Sequence, residues 1–229
     1  MELRGKRILV IGGSGVLGAE LAVQLRAKGA IVLASATSNE SAGKIPHGAE
    51  VRLICDYKSP ESIQTLSDYL NASTELDGVI NAAGVVAFGP ASELTAETIG
   101  ALMAVNAAGP MQLISALQPI LKKSAEAERE PFVLNITGVV AEQPLQGLAA
   151  YSASKTAVDG FLKALTREWR RDGIRVISAY PGHTETGLAG RAIAGTAPAF
   201  PQGMTAQHVV EVLVKGIEAG ETSLISSAF

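Results

Sequence analysis

The chain has 229 residues, 47% hydrophobic and 18% charged, with a formal net charge of −3. That length suits one large α/β domain spanning 1–229, with enough apolar material for a core and for subunit contacts. The charge leaves no basic footprint for nucleic acid or an anionic membrane, and a lone cysteine, Cys55, excludes an internal disulfide and suits a reducing, cytoplasmic compartment. The apolar run 8–11 stops at Gly12, too short for a secretory leader. No uninterrupted apolar stretch approaches the roughly 20 residues that cross a bilayer.

Along the chain, short Val/Ile/Leu-rich runs alternate with longer helical patterns. Residues 7–11, 30–35, 51–55, 78–81, 132–136 and 175–179 read as strands bounded by turn residues. Their two faces are both apolar, as in a parallel sheet covered on both sides. Segments 16–28, 60–70, 98–123 and 151–171 carry the helical period, and this βα alternation predicts a doubly wound Rossmann sheet. Residues 122–130 are charged and read as a solvated helix end. Residues 184–203, rich in Gly, Ala and Pro without a clear period, read as a mobile loop over a substrate.

The first strand runs into Gly12-Gly13-Ser14-Gly15-Val16-Leu17-Gly18 and then a helix. Glycines 12, 15 and 18 give a G-x-x-G-x-x-G spacing at the first βα turn, where backbone amides can meet a pyrophosphate. A glycine-rich turn without a ligand is the plainer alternative. The end of the second strand, with Thr37, Ser38 and Asn39, holds no acid before Glu40. An acid there would hold a ribose 2′-hydroxyl. Small hydroxyls instead favour a 2′-phosphate, hence NADP(H) over NAD(H).

Further motifs follow in order: Asn81-Ala82-Ala83-Gly84, Asn106 within a long helix, Tyr151-Ser152-Ala153-Ser154-Lys155, and Pro181-Gly182 with Thr186. Over roughly residues 5–187 this pattern resembles the short-chain dehydrogenase/reductase family, including 3-oxoacyl carrier-protein reductases that use NADPH. The resemblance implies a carbonyl reductase or alcohol dehydrogenase. Asp56 would meet the adenine, Gly12 and Ser14–Gly18 the pyrophosphate, and Asn81, Ala82, Ala83, Gly84, Pro181, Gly182, Thr184 and Thr186 would complete the cofactor site, Asn81 alternatively tying adjacent strands. Tyr151 would exchange a proton with the reacting oxygen, Lys155 hold the nicotinamide ribose, and Asn106 hold a water. Tyr151 and Lys155, four apart, share a helix face, and a nearby ammonium should lower the phenol's pKa.

Two departures stand out. The family's usual T-G-x-x-x-G-x-G would place glycine at Val16, and the family's serine, thirteen residues before the tyrosine, is Gly138 here. Either Thr137 replaces that serine, or it faces the sheet and leaves a gap. The chain stops at Phe229 without the family's usual ending. Gln143 and His183 are candidate substrate contacts; as alternatives, His183 is a plain loop residue and Trp169 is packing. No metal is expected. A homodimer or homotetramer is expected from the apolar faces of 98–123 and 151–171, with a hetero-oligomer with a homologue as the variant. The competing readings are a weakly active or inactive cofactor-binding partner, a redox-sensing regulator, and a lyase or epimerase using hydride chemistry internally.

Overall fold

The computed structural model describes residues 1–72 and 75–229. Among these, seven strands form one parallel sheet: β1 (Arg7–Ile11), β2 (Ile31–Ala36), β3 (Val51–Ile54), β4 (Gly78–Asn81), β5 (Phe132–Ile136), β6 (Arg175–Ala179) and β7 (Ser223–Leu224). Their order is β3-β2-β1-β4-β5-β6-β7. Parallel neighbours need long crossovers. These are α1 (Val16–Ala27), the short α2 (Asn39–Ala42), α3 (Pro60–Asn71), α4 (Ala96–Met103), α5 (Gly109–Ala116), α6 (Gln118–Glu126), α7 (Ala149–Trp169) and α8 (Ala206–Ala219).

Alternation along each strand divides the core. Leu9 and Ile11 pack with α3, α5, α6 and α7, including Leu66, Leu113, Leu162 and Trp169. Ile8 and Val10 pack with α1 and α8, including Leu21, Leu25, Val210 and Leu213. Helices on both faces make this the doubly wound Rossmann architecture. The strand order reverses between β1 and β4, and in such sheets the crevice at the carboxyl ends beside that point is where ligands bind.

The helix expected over 98–123 is instead three. Pro110 and Pro119 stand near the starts of α5 and α6 and cannot donate to the carbonyls four residues earlier. Ahead of Pro110 the chain widens into a π turn, Ala104–Ala108. The helical run Ala96–Ala116 is long and apolar enough by composition to cross a membrane, yet Ala107, Leu113 and Ile114 lie in the core. Also unforeseen were α2, β7 and α8. The last is capped by the Thr205 side chain and ends at left-handed Gly220.

Candidate active site

The β1–α1 turn is built on close approach. Gly12 has φ +82°, and a Cβ there would stand 3.0 Å from Ala83 N at the end of β4. At Gly18 a Cβ would overlap the Gly12 carbonyl. Gly15 begins α1 without a side-chain cap, so the first-turn amides stay free for an anion. Ser14 and Leu17 are half-buried and Val16 is exposed. These residues fit a dinucleotide pyrophosphate.

At the β2 end, Ser38 Oγ accepts from Ser41 N at 3.2 Å, and Ser41 Oγ accepts from Ser38 N at 3.0 Å. Thr37 Oγ1 lies 3.4 Å from Ser41 Oγ. Three hydroxyls thus gather beside the crevice, with Glu40 in the first turn of α2. Asp56, half-buried after β3, accepts from Lys58 N at 2.9 Å.

A buried polar ladder ties the central strands. Tyr57 donates its hydroxyl to Asn81 Oδ1 (3.1 Å), Asn81 Nδ2 to Asn135 Oδ1 (2.6 Å), and Asn135 Nδ2 to Thr137 Oγ1 (2.9 Å). Through Asn81 and Asn135 the ladder ties β4 to β5. Next to it, Ala82, Ala83 and Gly84 line the half-buried chain leaving β4. A Cβ on Gly84 would stand 3.3 Å from Asn106 Oδ1 and 3.5 Å from Lys155 Nζ.

Tyr151, Lys155 and Asn106 converge here. Asn106, in the π turn, accepts from Val85 N (2.9 Å) and donates to Val85 O (2.8 Å) and Ser154 Oγ (3.0 Å). Ser154 in turn donates to the Tyr151 carbonyl at 2.7 Å. Nothing in the motif alone pointed to Ser154. Lys155 Nζ donates to Ile136 O at 3.0 Å and lies 5.9 Å from the Tyr151 ring centroid. Burial pushes the Lys155 pKa down to about 8 and the Tyr151 pKa up to about 12. The expected lowering of the phenol is therefore not found. Removing the ring from water outweighs an ammonium at that distance.

Thr137 is fully buried with its hydroxyl on Asn135, an arrangement that favours the sheet-facing alternative. Gly138 has φ +88° and ψ 152°, a conformation side chains rarely adopt.

Residues 184–203 lie against this centre. Ile193 N donates to Val86 O (2.8 Å), and Phe88 N to Ala194 O (2.9 Å). Gly195 passes so close that a Cβ would overlap the Phe88 carbonyl. Leu188, Ala189 and Ala192 pack with Val86, Phe88, Val140, Leu148 and Tyr151. Phe200 stacks on His183 (centroids 4.7 Å apart, 25°) and tilts against Phe88 (6.0 Å, 50°). Phe88 was not singled out from sequence, and Phe200 was read there only through the apolar and aromatic content of 184–203, which suggests an apolar or aromatic carbonyl compound. His183 Nε2 lies 3.4 Å from Glu185 Oε1. Gln143 is exposed, its backbone N–H donating to Val139 O. Pro181 and Gly182 follow β6, Thr184 Oγ1 donates to Gly182 O (3.0 Å), and Thr186 Oγ1 accepts from Leu188 N (3.3 Å).

The uncharacterized oxidoreductase YbbO of Escherichia coli K12 is 30% identical over 183 residues, 79% of this chain and 66% of that protein. The chain thus spans about two thirds of that relative's length. The 3-oxoacyl-[acyl-carrier-protein] reductase FabG of the same organism is 30% identical over 192 residues, 82% of this chain and 77% of that one. Among solved structures, a short chain dehydrogenase from Burkholderia cenocepacia J2315 in complex with NADP has a TM-score of 0.85 at 24% identity, covering 99% of this chain and 90% of the other. A 3-ketoacyl-(acyl-carrier-protein) reductase from Brucella melitensis complexed with NADH matches at TM-score 0.85 and 20% identity, with 98% and 97% covered. Those two likenesses are of fold. The family model for short chain dehydrogenase matches residues 6–196, and with that share of its length matched the chain belongs to the short-chain dehydrogenase family.

Proposed function

We propose that the protein is an NADP-preferring carbonyl reductase with Tyr151 and Lys155 at its centre. The observation that carries this reading is the meeting of Lys155 and Asn106 beside Gly84, with the Tyr151 ring 5.9 Å from the Lys155 ammonium. When bound, the nicotinamide cofactor supplies a hydride. Tyr151, neutral at pH 7, holds the proton for the carbonyl oxygen. Lys155 would hold the nicotinamide ribose, and Asn106 fixes the chain after β4 through both of its amide atoms. Gly12, Ser14, Gly15, Val16, Leu17 and Gly18 would hold the pyrophosphate. Thr37 and Ser38 would hold the 2′-phosphate, and Asp56 the adenine. Ala82, Ala83, Gly84, Pro181, Gly182, Thr184 and Thr186 would line the remainder, and residues 184–203 would exclude water.

Ile99 and Met103, exposed one turn apart on α4, support a homodimer or homotetramer, which light scattering at micromolar concentration tests. A cytoplasmic site of action fits the single buried Cys55. The second reading, a cofactor-binding partner with little turnover, is favoured by Gly138. A screen of carbonyl compounds for NADPH oxidation, beside calorimetry of cofactor binding, separates the two. Turnover abolished by Tyr151→Phe supports the enzyme. Tight NADPH binding with no turnover supports the partner.

A further inference from the structure

At the carboxyl end of β5, the donors of Thr137, Gly138 and Val139 are all turned to other protein groups. Thr137 is fully buried and its Oγ1 accepts from Asn135 at 2.9 Å. Gly138 has no side chain, and its amide donates to Ala179 O at 3.1 Å. The next amide, on Val139, donates to Pro181 O at 3.0 Å. Ser152, beside Tyr151 in sequence, is 2% exposed and closed off from solvent. Of the hydroxyls on these two segments, only that of Tyr151 is left to polarise a carbonyl.

This deficit is built into the backbone. At φ +88° and ψ 152° a serine does not simply replace Gly138. The space itself is open, because a Cβ there would meet only Pro181 O, at 3.8 Å. The next residues, Val139 and Val140, belong to an apolar cluster with Val86, Phe88, Leu148 and Tyr151, joined by Leu188 from the overlying loop. Phe200, 37% exposed, lies against both Phe88 and His183.

Taking the carbonyl-reductase reading as its basis, we propose that the substrate class is the aryl vicinal diketone. A site lacking one oxyanion donor gives up roughly 10²- to 10³-fold in rate. A second carbonyl on the adjacent carbon withdraws electron density from the reacting carbon and makes it a better hydride acceptor. The substrate thereby provides from its own structure the activation that the missing hydroxyl would have given. The open volume at Gly138 leaves room for the added oxygen, and Phe88 and Phe200 suit an aryl ring in tilted or offset contact. In the step, a hydride passes from the reduced nicotinamide to one carbonyl carbon, forming a C–H bond. The π pair of that C=O moves to oxygen, which takes the Tyr151 proton, and solvent reprotonates Tyr151. The products are an α-hydroxy ketone and the oxidised nicotinamide.

The test compares 1-phenylpropane-1,2-dione with propiophenone, the same skeleton lacking one carbonyl, on the full chain with NADPH. The expected kcat/KM ratio is at least 100 in favour of the diketone, and Gly138→Ser should narrow it at least tenfold if that variant folds. The wild-type ratio needs no variant: propiophenone within tenfold of the diketone overturns the proposal. A readout independent of turnover is calorimetry of the diketone on the NADP⁺-loaded protein. Phe200→Ala should weaken that binding about tenfold with NADP⁺ affinity unchanged, and unaltered diketone binding overturns the aromatic contact. If no carbonyl compound oxidises bound NADPH, the oxidoreductase reading itself fails and this one with it. If simple ketones react well, only the diketone assignment fails.

Discussion

Lys155 Nζ donates to the Ile136 carbonyl at 3.0 Å, tying the middle of the chemistry-bearing helix to the backbone of β5. The tie holds an ammonium in a nearly dry place, and burial lowers its pKa to about 8. In the unfolded chain the group titrates near 10.5. Between those values the unfolded state binds more protons, so stability of the cofactor-free protein should rise with pH, on the order of 3 kcal/mol at most. Lys155→Met should lack this rise. Urea unfolding of both proteins at pH 7.5 and 9.5 checks it, because Tyr151, with its pKa raised to about 12, acts in the opposite sense only above pH 10. A constant difference between the two proteins contradicts the buried-ammonium assignment.

Tyr151→Phe should remove nearly all turnover and leave cofactor affinity within a few-fold, since the phenol acts on the reacting oxygen alone. Lys155→Ala should damage both. Steady-state kinetics with calorimetry distinguishes these patterns, and full activity of Tyr151→Phe would end the catalytic assignment.

Thr137→Ala strips the partner from Asn135 Nδ2 in the polar ladder. It should cost about 1–3 kcal/mol of stability, the usual penalty for an unpaired buried donor, while kcat moves only a few-fold. A fall of about 10²-fold would instead place its hydroxyl on the substrate. Gly138→Ser should destabilise through its positive φ by about 1–3 kcal/mol.

Cofactor preference turns on Ser38. Its Oγ caps α2 by accepting from Ser41 N, a role aspartate also fills. Ser38→Asp therefore keeps the cap and adds charge where a 2′-phosphate would sit. NADP(H) affinity should fall at least tenfold with NAD(H) little changed. Dissociation constants for both cofactors decide it, and tighter NAD(H) binding by the unaltered protein would overturn the preference.

Four strands, β1, β4, β5 and β6, were readable to their end residues, because fully buried strands are continuous apolar runs between turn residues. The cradle and the Tyr151-Lys155 pair were legible because their spacing is local. α8 had its signals too, with Val209, Val210, Leu213, Val214 and Ile217 between the Thr205 cap and Gly220. They lay just beyond a stretch read only as loop. The interrupted helix depended on what Asn106 meets across the fold. The aromatic contact of Phe88 with Phe200 joins residues 112 positions apart, which no local period reveals. Thr137 and Gly138 stayed ambiguous because one residue of register decides which side chain faces the crevice.

At the opposite end of the sheet, Asp77 is the anchor whose loss should matter most for stability. Its carboxylate is fully buried and accepts from Arg7 N (2.8 Å), Ser124 Oγ (2.7 Å) and both Nε and a terminal nitrogen of Arg129 (2.6 Å each). It thereby joins the start of β1, the end of α6 and the turn into β5. Burial alone would raise its pKa; the Arg129 fork, Ser124 and the Arg7 amide reverse that and hold it below the usual carboxylate value. A depressed folded pKa gives stability that is fully present above the unfolded pKa, near 4, and is lost as pH falls through the folded value. Asp77→Ala leaves the Arg7 amide and Ser124 without this acceptor, while Arg129, partly exposed, keeps Glu75 beside it; it should cost about 1–3 kcal/mol, the scale for an unpaired buried donor. Asp77→Asn keeps the shape but loses the charge. Its deficit against the unaltered protein should be large at pH 7 and shrink toward pH 3. Thermal unfolding across that range reads it directly. A deficit independent of pH would mean that the amide disturbs packing and that the carboxylate's charge contributes little.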